Sequence, residues 1–252
     1  MTMTTIGLAA VLAVSIGIFI GIIGGGGGGL YIIALILFLK LDVKTAVGTA
    51  LILSTITLAS ASWQYGRRKL VRWDYVVAIS APGLVGVLGG SWFMRSIDEL
   101  VLKAAIILVF AVSGVSSLLK VRSRAQKESD VGPAARKLPI LIPMGIVGGV
   151  ITGALGLSGA VPMSSLLVGL LGFSPELAIG TTMLIALVVN SAGALFHLAE
   201  QHVAPWLVLI FGAGSVLGTF VGVPLAVRIN RKVLTIILGA LTIGSGIYLA
   251  VK

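Results

Sequence analysis

The residues able to do chemistry in this chain are few and mostly uncharged. Gly24, Gly25, Gly26, Gly27, Gly28 and Gly29 run consecutively between two aliphatic stretches, and Gly156, Ser158, Gly159 and Ala160 interrupt a second such pair. Glycine costs more backbone entropy to order than any other residue. A run of it inside an apolar segment therefore signals either slack or a backbone that comes close to a ligand. N–H groups left bare at such a break, just ahead of a helix, attract anions. Side chains add hydroxyls at Thr49, Thr181 and Ser54, and a stripe of Ala186, Asn190, Gly193 and His197 whose spacing of three and four shares one helix face. The threonine hydroxyls can serve a substrate or the preceding turn. Asn190 and His197 can line a polar path or join helices by hydrogen bonds. With no cysteine and two histidines there is no thiol nucleophile, and a transition-metal site is not expected. No cofactor is implied.

The elements that must hold these residues are membrane helices. Of 252 residues, 58% are hydrophobic and 10% charged, and the mean hydropathy is +1.15. That is too little polar surface to cover a soluble globule, and the apolar runs are long enough to cross a hydrocarbon core of ~30 Å. Residues 6–23 have no basic residue before them and read as a mature helix rather than a secretory leader. The formal charge of +10 fits basic residues sorted to the cytoplasmic side, not nucleic-acid binding.

Apolar runs fall at about 6–23, 30–39, 44–65, 73–95 and 98–119, and again at about 139–156, 161–172, 176–199, 205–228 and 232–251, around a basic segment. We therefore expect a first membrane repeat over 1–119, a cytoplasmic linker over 120–138 and a second repeat over 139–252. An ungapped offset of 132 pairs Gly24 with Gly156, Gly27 with Gly159, Gly48 with Gly180, Thr49 with Thr181 and Tyr65 with His197. The polar breaks fall in register as well.

Arg67, Arg68, Lys69 and Arg72 place one loop inside, and in the second half the basic loop has moved to Arg228, Arg231 and Lys232. Five segments per half would invert the second copy and leave both termini extracytoplasmic. The expected fold is an all-α membrane protein, an inverted-repeat transporter with a broken or re-entrant helix pair opening each half. The short segments 30–39 and 161–172 span only part of a bilayer, so their starts lie at depth, where irregular backbone is tolerated only in protein or beside a cavity. No Lys or Arg lies near the breaks, which favours a small anion of low charge. His197 is the one ionisable group deep enough to relay a proton, so proton coupling stays open.

Gly21 to Gly29, Ala46-Val-Gly-Thr-Ala50, Gly153-Ala-Leu-Gly-Leu-Ser-Gly159 and Ala178-Ile-Gly-Thr-Thr182, in this order around a basic linker, resemble the TauE/SafE sulfite exporter family, the TSUP permeases. The resemblance covers the whole chain. It implies a prokaryotic inner-membrane permease moving sulfite or organosulfonates such as sulfoacetate, and leaves direction, coupling ion and oligomeric state open. Two rival readings share some of these features. Gly156-Leu-Ser158-Gly159 with His197 fits a rhomboid-like intramembrane serine protease, with Ser158 as nucleophile and His197 as base. Against it, the first copy of the element has no serine. A passive anion channel shares every feature and differs in kinetics.

Overall fold

Several of the helices begin or end at a residue that physically starts or stops one. In the computed structural model, which describes residues 3–23, 27–98, 100–102, 104–108 and 132–226, these are α1 (Met3–Ile23), α2 (Gly28–Leu37), α3 (Val43–Arg67), α4 (Trp73–Met94), α5 (Leu138–Leu155), α6 (Ala160–Leu171), α7 (Pro175–Ala199) and α8 (Pro205–Ala226). Asp42 caps α3 by accepting from Thr45 N at 2.9 Å. Pro175 and Pro205 open α7 and α8, where a missing N–H costs nothing. Gly172, at φ 74°, closes α6. A 3₁₀ turn, Ala134–Lys137, leads into α5 and takes up the end of the expected linker.

Among the described residues the fold is all-helical, and Val43–Arg67, Trp73–Met94, Ala134–Leu155, Glu176–Ala199 and Pro205–Leu225 are long and apolar enough to cross a bilayer. This is a multi-pass α-helical membrane protein. Gly24, Gly25 and Gly26, most of the basic linker, the later part of the segment expected at 98–119 and the segment expected at 232–251 lie outside the described residues.

The offset of 132 reappears in the backbone. α3 and α7 correspond at both ends, α4 and α8 at their first residue, and α2 and α6 at theirs. Left-handed turns recur too, at Lys40 (φ 52°) and Gly172 (φ 74°), and at Lys69 and Gln201 (both φ 58°). One boundary differs from the sequence reading. Gly28 and Gly29 are helical, because Gly27 turns the chain at φ 66° and its carbonyl already accepts from Tyr31 N at 3.0 Å.

The halves are interleaved rather than set side by side. α4 packs along α5, and α1 along α8, through glycines that bring backbones into direct contact. A methyl on Gly86 would strike the Ile146 carbonyl, one on Gly90 that of Val150 and one on Gly149 that of Gly83. The same clashes recur 132 residues on at Gly218 with Val14, Gly222 with Ile18 and Gly17 with Ser215. Hydrogen bonds reciprocate likewise. Ala204 N donates to Thr49 Oγ1 at 3.0 Å, and Arg72 N donates to Thr181 Oγ1 at 3.1 Å. Such exchange of partners is what a two-fold relation produces.

α3 and α7 face each other antiparallel. A methyl on Gly48 would lie 3.0 Å from His197 Cβ, one on Gly193 3.4 Å from Leu51, and one on Gly180 3.2 Å from Tyr65. Described charges stay at helix ends: Arg72 pairs with Asp74 at 2.8 Å, and Asp74 also accepts from Ala134 N at 3.1 Å. Arg95 pairs with Glu200.

Candidate functional site where the two breaks meet

α5 ends on Gly156, whose φ of 65° turns the chain while its N–H still bonds Thr152 O at 2.9 Å. α2 and α6 start from Gly27 and Gly159, and neither glycine offers a side-chain cap. The two breaks touch. Gly28 lies so close to the Gly156 carbonyl that any side chain there would collide, and the same added methyl would sit 3.1 Å from Ser158 N. Gly156 is held in turn by Val47 and Ile32, at 2.9 and 3.2 Å from a methyl built on it. Gly27, Gly28, Gly156 and Ala160 are buried, and Gly29, Ser158 and Gly159 half-buried. The Ser158 hydroxyl has no partner among the described residues.

A small cavity of about 10 Å³, room for one water molecule, opens at the start of α6 between Gly148, Thr152, Gly159, Met163, Thr182 and Val189. The first half carries bulkier side chains at the corresponding positions. Ile16, Ile20 and Tyr31 stand where the second half has Gly148, Thr152 and Met163, and all three are buried. The Tyr31 hydroxyl bonds Thr57 at 2.6 Å, and Thr57 reaches Ser215 at 3.0 Å.

The polar residues singled out in the sequence divide into two groups. Thr49 and Thr181 are engaged across the halves as described, and Thr181 also donates to Leu177 O at 2.6 Å. His197 Nε2 donates to the Gly153 carbonyl at 3.2 Å, while its repeat partner Tyr65 donates to the equivalent Gly21 carbonyl at 3.3 Å. These three side chains join helices. Ser54 and Asn190 are fully buried, and Ser54 Oγ and both amide atoms of Asn190 have no partner among the described residues. A buried polar atom left without a partner costs about 1–3 kcal/mol.

Sequence reading missed a ladder of side chains linking α2, α3 and α8. Besides Tyr31, Thr57 and Ser215, it holds Ser60 bonded to Thr219 at 2.7 Å and Gln64 donating to Thr219 at 3.4 Å. It also missed Thr152 and Thr182 beside the cavity. The offset carried a usable signal, because Thr57 falls on Val189, Tyr31 on Met163 and Ile20 on Thr152. A polar residue matched to an apolar one marks where the copies have diverged.

The arrangement offers neutral donors and backbone rather than charge. Among the described residues no three acidic or histidine side chains gather as metal ligands. Ser158 and His197 share no hydrogen bond: the His197 Nδ1 and the Ser158 hydroxyl both have no partner among the described residues.

Residues 8–249 match the family model described as sulfite exporter TauE/SafE. The chain is similar to the probable membrane transporter protein YdhB of Bacillus subtilis (strain 168), at 25% identity over 210 residues that cover 82% of this chain and 84% of the relative. No solved structure matches. A family match over nearly the whole chain joins the multi-pass helical fold to one conclusion: the chain belongs to the sulfite exporter TauE/SafE family of membrane permeases.

Proposed function

We propose that this protein is a secondary transporter, working as an exporter of small sulfur-containing anions such as sulfite or organosulfonates, which bind near mid-membrane where the two breaks meet. The observation that carries the reading is the contact of Gly28 with Gly156 and Ser158. It sets the uncapped start of α2 against the loop that leads into α6, and each helix N-terminus contributes about 0.3–2 kcal/mol toward an anion. Donors without fixed charge suit a ligand that must also leave. The sulfur chemistry rests on the family description.

An inverted repeat in a prokaryotic inner membrane, with both termini extracytoplasmic and 120–138 cytoplasmic, completes the proposal. The antiparallel meeting of the equivalent helices α3 and α7 supports it, since two spanning helices related this way place the two-fold axis in the membrane plane. The halves then rock about the shared site. An intramembrane protease is disfavoured because the Ser158 and His197 atoms make no dyad. A passive channel differs from this reading only in kinetics.

The test is flux and thermal stabilisation of the purified protein in liposomes with sulfite, sulfoacetate, sulfate and chloride, with and without a pH gradient. Saturable sulfite or sulfonate flux is expected. Indifference to both would remove the substrate assignment, and non-saturating flux would favour the channel.

A further inference from the structure

The α3 and α7 faces that meet at the centre carry the same stripe in both halves: Gly48, Leu51, Ser54, Leu58, Ala61 and Tyr65 correspond to Gly180, Met183, Ala186, Asn190, Gly193 and His197. The contacts of Gly48 with His197, Leu51 with Gly193 and Tyr65 with Gly180 set an antiparallel register. In that register Ser54 stands level with Asn190, and Leu58 with Ala186. The second pair is apolar, and Leu58, Ala186 and the first residue of α6, Ala160, pack in one buried cluster. The two-fold relation turns that level into the first, so Ser54, Asn190 and Gly28, the first residue of α2, occupy the matching place. The same slot is thus filled twice, once by Leu and Ala and once by Asn and Ser.

The apolar version is complete, whereas the polar version leaves Ser54 Oγ, Asn190 Oδ1 and Asn190 Nδ2 at zero exposure without any partner among the described residues. An interhelical hydrogen bond is therefore not what keeps the polar pair. We propose that Ser54 and Asn190 are the side-chain ligands of the transported anion. The hydroxyl and the amide Nδ2–H donate to its oxygens beside the start of α2, and Oδ1 receives a water or a hydroxyl of the ligand. This rests on the anion-transport reading and locates the selectivity of that site on the first break. Neutral donors match an oxyanion with several acceptor oxygens and have less to offer a halide.

The experiment replaces the polar pair with the packing already present in the other half, Asn190→Leu together with Ser54→Ala, in the full-length protein. The double variant is expected to melt at or above wild type without anion, because it removes unpartnered buried groups. Its sulfite and sulfoacetate flux, and the thermal shift each anion produces, are expected to fall about tenfold or more. Wild-type flux in the double variant, or a large loss of melting temperature without anion, would overturn the assignment. Should that variant not fold, Asn190→Asp keeps the shape and adds a negative charge, and unchanged anion flux in it would overturn the assignment equally. A wild-type protein that responds to no anion defeats the transport reading itself; a responsive wild type matched by a responsive double variant defeats only the role of the pair.

Discussion

At the scale of single residues, glycines that look alike in the sequence face different surroundings. A methyl on Gly28 meets the Gly156 carbonyl, whereas a methyl on Gly159 finds Gly148 at an ordinary 3.5 Å. Gly28→Ala is expected to cost about 1–3 kcal/mol by overpacking, read as a lowered melting temperature. Gly159→Ala should leave melting unchanged within a degree or two and narrow the cavity it lines, so any loss of flux in it reports on the cavity alone. His197 gives a second residue-scale comparison, because its bond to the Gly153 carbonyl is matched by that of Tyr65 to Gly21. His197→Tyr is expected to preserve stability and flux, while His197→Ala loses the bond and about 0.5–1.5 kcal/mol. If a pH gradient drives wild type but not the tyrosine variant, the histidine is a proton relay after all.

At the scale of elements, stability is concentrated in two equivalent seams, α4 with α5 and α1 with α8. Gly86→Val and Gly218→Val should each disrupt a backbone contact and lower the melting temperature by similar amounts, since each faces a carbonyl at corresponding places. Gly89→Ala is the control: no described residue beyond its own helix lies within 4 Å of the added methyl, and it should stabilise by about 0.5–1 kcal/mol through helix propensity. These seams also mark where sequence reading stopped. Helix bounds and the offset were legible, because glycine, proline and charge punctuate apolar runs locally. Gly214, Gly218 and Gly222 recur every fourth residue, a spacing that marks a packing face but not its partner, because a small residue says that something comes close and not what. The ladder from Tyr31 through Thr57 to Ser215 was hidden for the same reason: its members lie on three helices, and Thr57 and Ser215 stand far apart in the chain. The candidate site was legible as two glycine breaks, whereas the different surroundings of the two became visible only once the halves were folded against each other.

At the scale of the whole molecule, the antiparallel pairing of α3 and α7 makes a topological prediction. Lys69 and Gln201 occupy the same left-handed turn after those helices, both at φ 58°. Cysteines introduced there, in a chain that has none of its own, should be labelled from opposite faces of the membrane, position 69 from the cytoplasm. Labelling from one face would contradict an inverted repeat. The hydroxyl ladder has a consequence for motion. Tyr31, Thr57, Ser60, Gln64, Ser215 and Thr219 tie α2, α3 and α8 together with directional bonds, and such bonds resist sliding. In the other half the corresponding residues include Met163, Val189 and Gly83, which have no hydroxyl and hold by contact alone. Amide hydrogen exchange should accordingly be slower across 28–37 than across 160–171, and Thr57→Val should narrow the difference. The two halves would then divide the work of a transport cycle, one as stator and the other as the part that travels.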